Sequence, residues 1–489
     1  MPDLPAVNRR SFLQTSAAAG AAVGAMSAAA RSRAADANQR LRIGFIGPGR
    51  RGFGSHVKTL TKLRQQGAAI DLTAVCDVYS VHRDQAADYI ARETGVKPRT
   101  FIDYRELLAS DAVDAVCIGT PDHWHARQTI DLLAAGKHVY CEKPMTHTLD
   151  EAREVIDAWK KSGLVMQVGV QSTSMPIWNE VRERINAGEL GKVVQWQAEY
   201  FRNSIGGMSR HNVITKEMTP DAIDWRRWLG VDEGLGPDLP FDRATFGQWR
   251  CYWPFGYGMY SDLFVHRVTA MLKATGLRYP GRVVGGGGIF LEYDDREVAD
   301  VASIIADFRE GVQGVVSSTM VSTAVPIRHV IRGHHASILF DEDVFGRKQA
   351  YEYVPERPQV TLDNTLARQS VESQPVADQD LAHFANFLEA VQNNSPAAVN
   401  NDPPLGAAAV AVVNLAVRSY REGQVFHCDA DGQVQHGDAS WANHWEQMSK
   451  ARAKPNHVPG WHAGDRGSLL VPPSYQKLAG VWKDGQPPQ

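Results

Sequence analysis

Leu41-Arg42-Ile43-Gly44-Phe45-Ile46-Gly47-Pro48-Gly49-Arg50-Arg51-Gly52 is the stretch that decides the fold of this chain. Its apolar first half reads as a short buried strand, and the glycines at 47, 49 and 52 follow with Gly-x-Gly-x-x-Gly spacing. Each glycine answers a separate steric demand. Gly47 permits a tight turn, Gly49 lets the backbone approach a phosphate, and Gly52 lets the next helix pack close to the strand. Residues 56–66 have helical spacing, and residues 71–76 read as a second strand ending at Asp77. A carboxylate there would hold both ribose hydroxyls of a dinucleotide and disfavour a 2′-phosphate. The two signals together predict NAD as cofactor. Arg50 and Arg51 lie in the loop within reach of phosphates, which leaves NADP possible.

Working outward, strand and helix continue to alternate through residues 84–93, 104–109, 112–119, 125–135, 138–141, 150–162 and 164–170. Units of that size predict a parallel, doubly wound α/β sheet, a Rossmann domain over residues 38–171. Beyond Gln171 the texture changes. Residues 192–201, 283–291, 301–308, 312–319, 329–332 and 336–340 read as strands, and 177–187, 261–274, 380–393 and 405–421 as helices. The expectation is an α+β domain with a mostly antiparallel open sheet over residues 172–430. Residues 203–258 form an irregular stretch dense in Trp, Gly and Pro, and 431–489 read as a surface extension.

Ahead of the first strand, Asn8-Arg9-Arg10-Ser11-Phe12-Leu13 precedes an apolar run of small residues from 16 to 30. This order is that of a twin-arginine signal, with Ala35-Asp36-Ala37 fitting a small-x-small cleavage site, so residues 1–37 are read as a leader. The expectation is a protein exported to the periplasm already folded by the twin-arginine machinery. An exported dinucleotide binder must carry its cofactor with it. The 52 basic and 55 acidic residues give a formal charge of −3, and no basic stripe argues for nucleic acid. The five cysteines show no Cys-x-x-Cys pair, and His123, His125 and His147 lack a metal-ligand spacing, so neither a disulfide framework nor a metal site is expected.

The chemistry lies in two further segments. Gly119-Thr120-Pro121-Asp122-His123-Trp124-His125 leads into Gly136-Lys137-His138-Val139-Tyr140-Cys141-Glu142-Lys143-Pro144, and Gly256-Tyr257-Gly258-Met259-Tyr260-Ser261-Asp262-Leu263-Phe264-Val265-His266 opens a helix. With these motifs, over residues 40–425, the chain resembles the glucose–fructose oxidoreductase and inositol dehydrogenase family (Gfo/Idh/MocA). The family's marks are Glu-Lys-Pro after the fifth strand and Asp-x-x-x-His at a helix start. The resemblance implies that Lys143 reaches the nicotinamide and the substrate oxygen, where an ammonium stabilises a developing alkoxide. It implies His266 as general base, with Asp262 orienting it or a neighbouring hydroxyl. Thr269 stands where many relatives carry an acid. The cofactor would run along Gly47, Gly49, Arg50, Arg51, Gly52, Asp77, Thr120, Pro121, His123, Glu142, Lys143 and Gln171. A homo-oligomer is expected as well.

Trp225, Trp228, Trp249, Tyr252, Trp253, Phe255, Tyr257 and Tyr260 crowd before that helix. Aromatic faces stack on sugar rings, so a few of them are expected to face a carbohydrate and the rest to pack. The function expected is hydride transfer between tightly held NAD(H) and a hydroxyl of a sugar, polyol or glycoside. A second reading is an NAD-dependent glycosidase with a redox-neutral cycle; such enzymes are similar in leader and domain order, but their pattern replaces the lysine kept here as Lys143. A third is a non-catalytic sugar- or nucleotide-sensing module. Lys143, Asp262 and His266 together argue against it.

Overall fold

The structure, a computed structural model, describes residues 40–435 apart from 205, 206, 211, 213, 347 and 362–364. The leader read at 1–37 and the C-terminal stretch from 436 onward lie outside the described residues.

Six strands make the first sheet: β1 (Leu41–Ile46), β2 (Ile70–Cys76), β3 (Arg99–Phe101), β4 (Ala115–Ile118), β5 (His138–Glu142) and β6 (Met166–Gly169), in the order β3-β2-β1-β4-β5-β6. Every neighbouring pair is parallel. This is the doubly wound dinucleotide-binding topology, whose crevice opens at the carboxyl ends of β1 and β4, where the strand order reverses. Between the strands run α1 (Lys58–Gln65), α2 (Ser80–Thr94), α3 (Tyr104–Ala109), α4 (His125–Ala134) and α5 (Leu149–Ser162). A capping box between Thr148 and Glu151 starts α5 cleanly, which fixes the chain leaving Lys143-Pro144. A π-helical turn, Gly52–Val57, precedes α1.

After α6 (Ile177–Asn186), β7 (Val193–Glu199) enters a second sheet with β8 (Arg282–Gly288), β9 (Val301–Phe308), β10 (Val312–Thr319), β11 (Val330–Gly333), β12 (Ala336–Phe340), β13 (Ala350–Pro355), β14 (Gln369–Glu372), β15 (Phe426–Cys428) and β16 (Val434–Gln435). Its order is β14-β13-β12-β11-β7-β10-β9-β8-β15-β16. The pair β7–β10 is parallel and the other pairs are antiparallel. β16 carries this sheet past residue 430, where the sequence reading had placed its end.

Inside the second half lie α7 (Trp225–Leu229), α8 (Arg243–Gly247), a π-helical turn (Tyr260–Phe264) running into α9 (Val265–Thr275), then α10 (Gln379–Gln392) and α11 (Pro403–Glu422). Helix α11 is apolar almost all round, as a helix with no solvent face must be. It packs against β8, α5 and α9, and so joins the two sheets through one core. Gly285 of β8 makes this possible, because a Cβ there would lie 1.9 Å from the Ala416 carbonyl oxygen. Helix α10 departs from the linear domain reading. Its Phe384, Phe387 and Leu388 cover Ile43, Phe45 and Tyr140 of the parallel sheet, so it returns to the first domain.

Candidate active site

The glycine turn has the geometry that its spacing predicts. Gly47 sits at φ +73°, and a Cβ on Gly52 would meet the Gly47 carbonyl oxygen at 2.4 Å. A Cβ on Gly47 would strike the Thr120 backbone nitrogen at 2.7 Å, and one on Gly49 would stand 3.3 Å from the His82 ring. The turn leads into a cleft of about 1340 Å³ that runs from Asp77 past Thr120 and Lys143 to His266. That exceeds the roughly 300–1,000 Å³ of a drug-sized pocket and suits a dinucleotide with a second ligand.

At the β2 end, Asp77 is buried and its Oδ1 accepts from the Tyr79 backbone N–H at 2.9 Å, while Oδ2 lies 3.7 Å from His82 Nδ1. Asp77→Ala is expected to weaken NAD binding and narrow the preference over NADP, since the ribose loses its carboxylate acceptor. Titration of apoprotein with each cofactor checks this, and equal affinities in the unaltered protein would refute the assignment.

Both loop arginines border the cleft but already have partners. Arg50 bonds to Asn212. Arg51 bridges Glu142 at 2.8 Å and Asp380, on α10, at 2.8 Å. Glu142 also takes His56 Nε2 at 3.0 Å and the Lys143 backbone N–H at 3.1 Å. Burial opposes its charge, yet Arg51, His56 and Lys143 hold its carboxyl well below the usual range. Arg51 and Glu142 therefore fix the strand end that presents Lys143.

Lys143 Nζ donates to Asp262 Oδ1 at 2.6 Å and to the Asp262 carbonyl oxygen at 2.9 Å. Arg250 Nε stands 3.2 Å from the same carboxylate oxygen, and burial is overcome by these two cations, so Asp262 stays ionised far below its ordinary range. Asp262 thus serves the lysine. Among the described residues it makes no hydrogen bond to His266, and neither imidazole nitrogen of His266 has a hydrogen-bond partner. Burial, reinforced by the nearby Lys143 charge, pushes the His266 pKa well below its usual value. A neutral imidazole with both nitrogens open to the cleft is the state a general base requires. Asp262 lies in the π-helical turn and His266 one residue into α9, and such turns recur at functional sites because they displace side chains from regular α-helical spacing. Thr269 is buried and returns its hydroxyl to the Val265 carbonyl at 2.6 Å.

Of the remaining candidates, Thr120, Pro121 and Gln171 line the cleft. Thr120 Oγ1 donates to Gln128, and Gln171 Oε1 is buried with no hydrogen-bond partner. An orphaned amide oxygen in the cleft that Lys143 also lines, together with a glycine cradle that a single Cβ would fill, fits a nicotinamide dinucleotide. His123 is placed elsewhere: its Nε2 meets the Trp228 carbonyl at 3.1 Å and its ring packs on Trp228 and Phe255. It acts from behind the cleft wall. Of the aromatic run, Trp228 and Trp249 border the cleft, while Phe255 and Tyr260 are fully buried in packing.

Sequence reading takes His125 as a satisfied or supporting histidine and not a metal ligand, and names no partner for it. Its Nδ1 lies 2.7 Å from the Pro144 carbonyl and its Nε2 2.9 Å from the Thr120 carbonyl. Two carbonyl acceptors ask for two N–H donors, so the ring is an imidazolium that bolts the Lys143-Pro144 loop to the Thr120 loop. Burial alone would lower its pKa; the Cys141 sulfur, the Asp122 carboxyl and the Pro144 carbonyl outweigh it and raise the pKa to about 9. The folded value stands above the usual one, so its stabilisation is complete below about pH 6.5 and is lost as pH rises through about 9. The stability gap between the protein and its His125→Gln variant should therefore shrink over that window, by about 3 kcal/mol at most. Denaturant curves at pH 6 and 10 measure it, and a gap independent of pH would refute the cation.

With this geometry in place, comparison with known proteins gives three results. Residues 41–170 match the sequence profile of the Gfo/Idh/MocA oxidoreductase family, NAD-binding Rossmann fold. A glycosyl hydrolase family 109 protein of Shewanella baltica and an alpha-N-acetylgalactosaminidase of Shewanella oneidensis are each 32% identical over 213 residues, covering 40% of this chain and 43% of the relative. The chain thus spans less than half the length of these curated relatives. Levoglucosan dehydrogenase, solved with NADH and levoglucosan, superposes with a TM-score of 0.57 at 18% identity over 79% of this chain and 99% of that one, a likeness of fold. The first domain of this chain thus has an NAD-binding Rossmann fold, and over residues 41–170 it is similar to the Gfo/Idh/MocA family.

Proposed function

We propose that this protein is an oxidoreductase that moves a hydride between NAD(H) and a carbinol carbon of a sugar, polyol or glycoside bound in the same cleft. The observation that carries the reading is the cluster of Lys143, Asp262 and His266 at the inner end of the cofactor cleft. The bound dinucleotide would supply the hydride acceptor, held by the glycine turn, Asp77 and Gln171. His266, neutral and open, takes the hydroxyl proton. Lys143 stabilises the negative charge that develops on that oxygen, and Asp262 fixes the ammonium so that no reorganisation is needed as the charge appears. Arg250, which stacks its guanidinium 4.0 Å over the Trp249 ring, balances the charge of Asp262.

The cofactor is proposed to stay bound between turnovers. Residues 214–258 strap the first domain beside the adenosine end of the crevice. The Asp224 N–H donates to the Val78 carbonyl at 2.9 Å and the Ser80 N–H to the Ala222 carbonyl at 3.0 Å. Tyr79 packs in one cluster with Met218, Ile223, Trp228, Leu229, Phe246 and Phe255. Such retention suits the proposed export of folded, loaded protein through the Arg9-Arg10 leader. A second reading, a glycosidase whose cycle oxidises, eliminates and re-reduces without net redox change, is favoured by the two Shewanella relatives, which carry glycosidase names.

The test is isotopic. Holoprotein is incubated with sugars deuterated at each carbinol carbon in turn, and the released cofactor is weighed. Deuterium on the nicotinamide from one position supports hydride transfer and names the carbon. Unlabelled cofactor across a full sugar panel overturns it. A labelled cofactor accompanied by cleavage of a nitrophenyl glycoside selects the glycosidase.

A further inference from the structure

Beyond His266 the cleft continues to Tyr200, Arg202, Arg267 and Phe345. Arg267 follows the proposed base directly in sequence and is only partly exposed. Its guanidinium carbon sits 4.0 Å from the Tyr200 ring centre and 3.6 Å from that of Phe345, and its Nε donates to the Glu199 backbone carbonyl at 2.9 Å. A guanidinium carries five N–H donors, so both terminal nitrogens are left over. No carboxylate lies within salt-bridge distance of Arg267 among the described residues. Glu199, whose charge acts on Arg267 without pairing with it, turns its Oε2 to the Phe201 backbone N–H. Burial pulls the Arg267 pKa down to about 10, with Arg202 adding to the effect.

Of the other arginines on this cleft, Arg50 at the far, glycine-turn end bonds to Asn212, and three are paired with acids. Arg51 has Glu142 and Asp380, Arg227 has Asp224, and Arg250 has Asp262. Arg202, exposed beside Arg267, has no acid partner among the described residues either: its Nη2 meets the Tyr200 hydroxyl at 2.9 Å and its guanidinium lies 5.1 Å from the same ring. Two uncompensated cations therefore flank one tyrosine at the substrate end. A desolvated charge without a counter-ion is costly to keep unless a ligand completes it. The acids at the rim do not complete it. Glu342 is exposed and 3.9 Å from Arg328, and Asp343 is exposed on the same loop.

We propose that Arg267 and Arg202 form an anion clamp that selects sugars bearing a carboxylate, the uronic acids, as ligands of this cleft. A carboxylate accepts two parallel N–H bonds from the Arg267 fork, and the pyranose ring then lies toward His266. The location as a substrate site rests on the oxidoreductase reading, but binding can be measured without turnover.

Holoprotein is titrated calorimetrically with glucuronate, galacturonate, glucose and galactose, and cofactor absorbance is followed in parallel. The acids should bind about 10- to 100-fold more tightly than their neutral counterparts, the range of a charge-assisted pair. Arg267→Gln should collapse that ratio toward one. Should that variant fail to fold, Arg202→Gln, altered at an exposed side chain, should reduce the ratio too. Equal binding of acid and neutral sugar, or an unchanged ratio in a folded Arg267→Gln protein, overturns the clamp. Clamp-dependent binding of uronates with no change in cofactor absorbance upholds the clamp and refutes the oxidoreductase.

Discussion

His266→Gln is expected to slow hydride transfer by about 10²- to 10⁴-fold while leaving the cofactor bound. The imidazole contributes no hydrogen bond to the fold among the described residues, so its loss leaves packing and the nucleotide cradle in place. What disappears is the neutral acceptor for the hydroxyl proton. Lys143→Met should be nearly as severe for a different reason. It removes the charge facing the reacting oxygen, and it leaves Asp262 with Arg250 as its remaining cationic partner. Single-turnover absorbance of the bound nicotinamide separates the two. The histidine variant should recover rate as pH rises and the substrate hydroxyl begins to ionise unaided, and the lysine variant should not. Near-normal turnover in His266→Gln would remove the general base from the account.

Trp228→Ala is expected to cost about 3–5 kcal/mol, the range for emptying a buried aromatic site, and to release the cofactor on dialysis. The ring is 4% exposed, stacks on Trp225 at 4.8 Å and packs on Phe246 and Phe255. Its backbone carbonyl accepts from both His123 and Trp124 Nε1. This residue ties the strap of residues 214–258 to the first domain, so its removal should free the strap before the global fold. Cofactor per protein, measured before and after extended dialysis, reads the effect. Full retention in a destabilised variant would show that the strap does not hold the dinucleotide.

Five of the six strands of the first sheet were legible in the sequence because short apolar runs, glycine turns and helical periods all act locally; the edge strand β3, only three residues long and largely exposed, was not. Gly47, Gly52 and Asp77 could be placed from spacing alone, and so could the buried runs of β4 and β5. β13 was passed over although its pattern is plain: Tyr351 and Tyr353 are buried and Glu352 between them is not. The strap could not be read, since Trp228, Phe246 and Phe255 have no common period and meet Tyr79 only through the tertiary fold. The same holds for Arg51 with Asp380, for Lys143 with Asp262 and for the return of α10 to the parallel sheet. His125 and Arg267 were in plain view beside residues already singled out. Their roles depend on which carbonyls and rings surround them, and no linear pattern carries that.

The central claim is that Lys143 and His266 perform hydride chemistry on a cofactor the protein keeps. It is tested most directly by adding a substrate sugar to dialysed holoprotein with no free NAD present and recording the reduced-nicotinamide absorbance band. The expected result is a rise of up to one equivalent of cofactor per chain, slowed about 10²- to 10⁴-fold in His266→Gln with cofactor still bound. A rise that appears only after NAD is supplied, or one as fast in His266→Gln as in the unaltered protein, would contradict it.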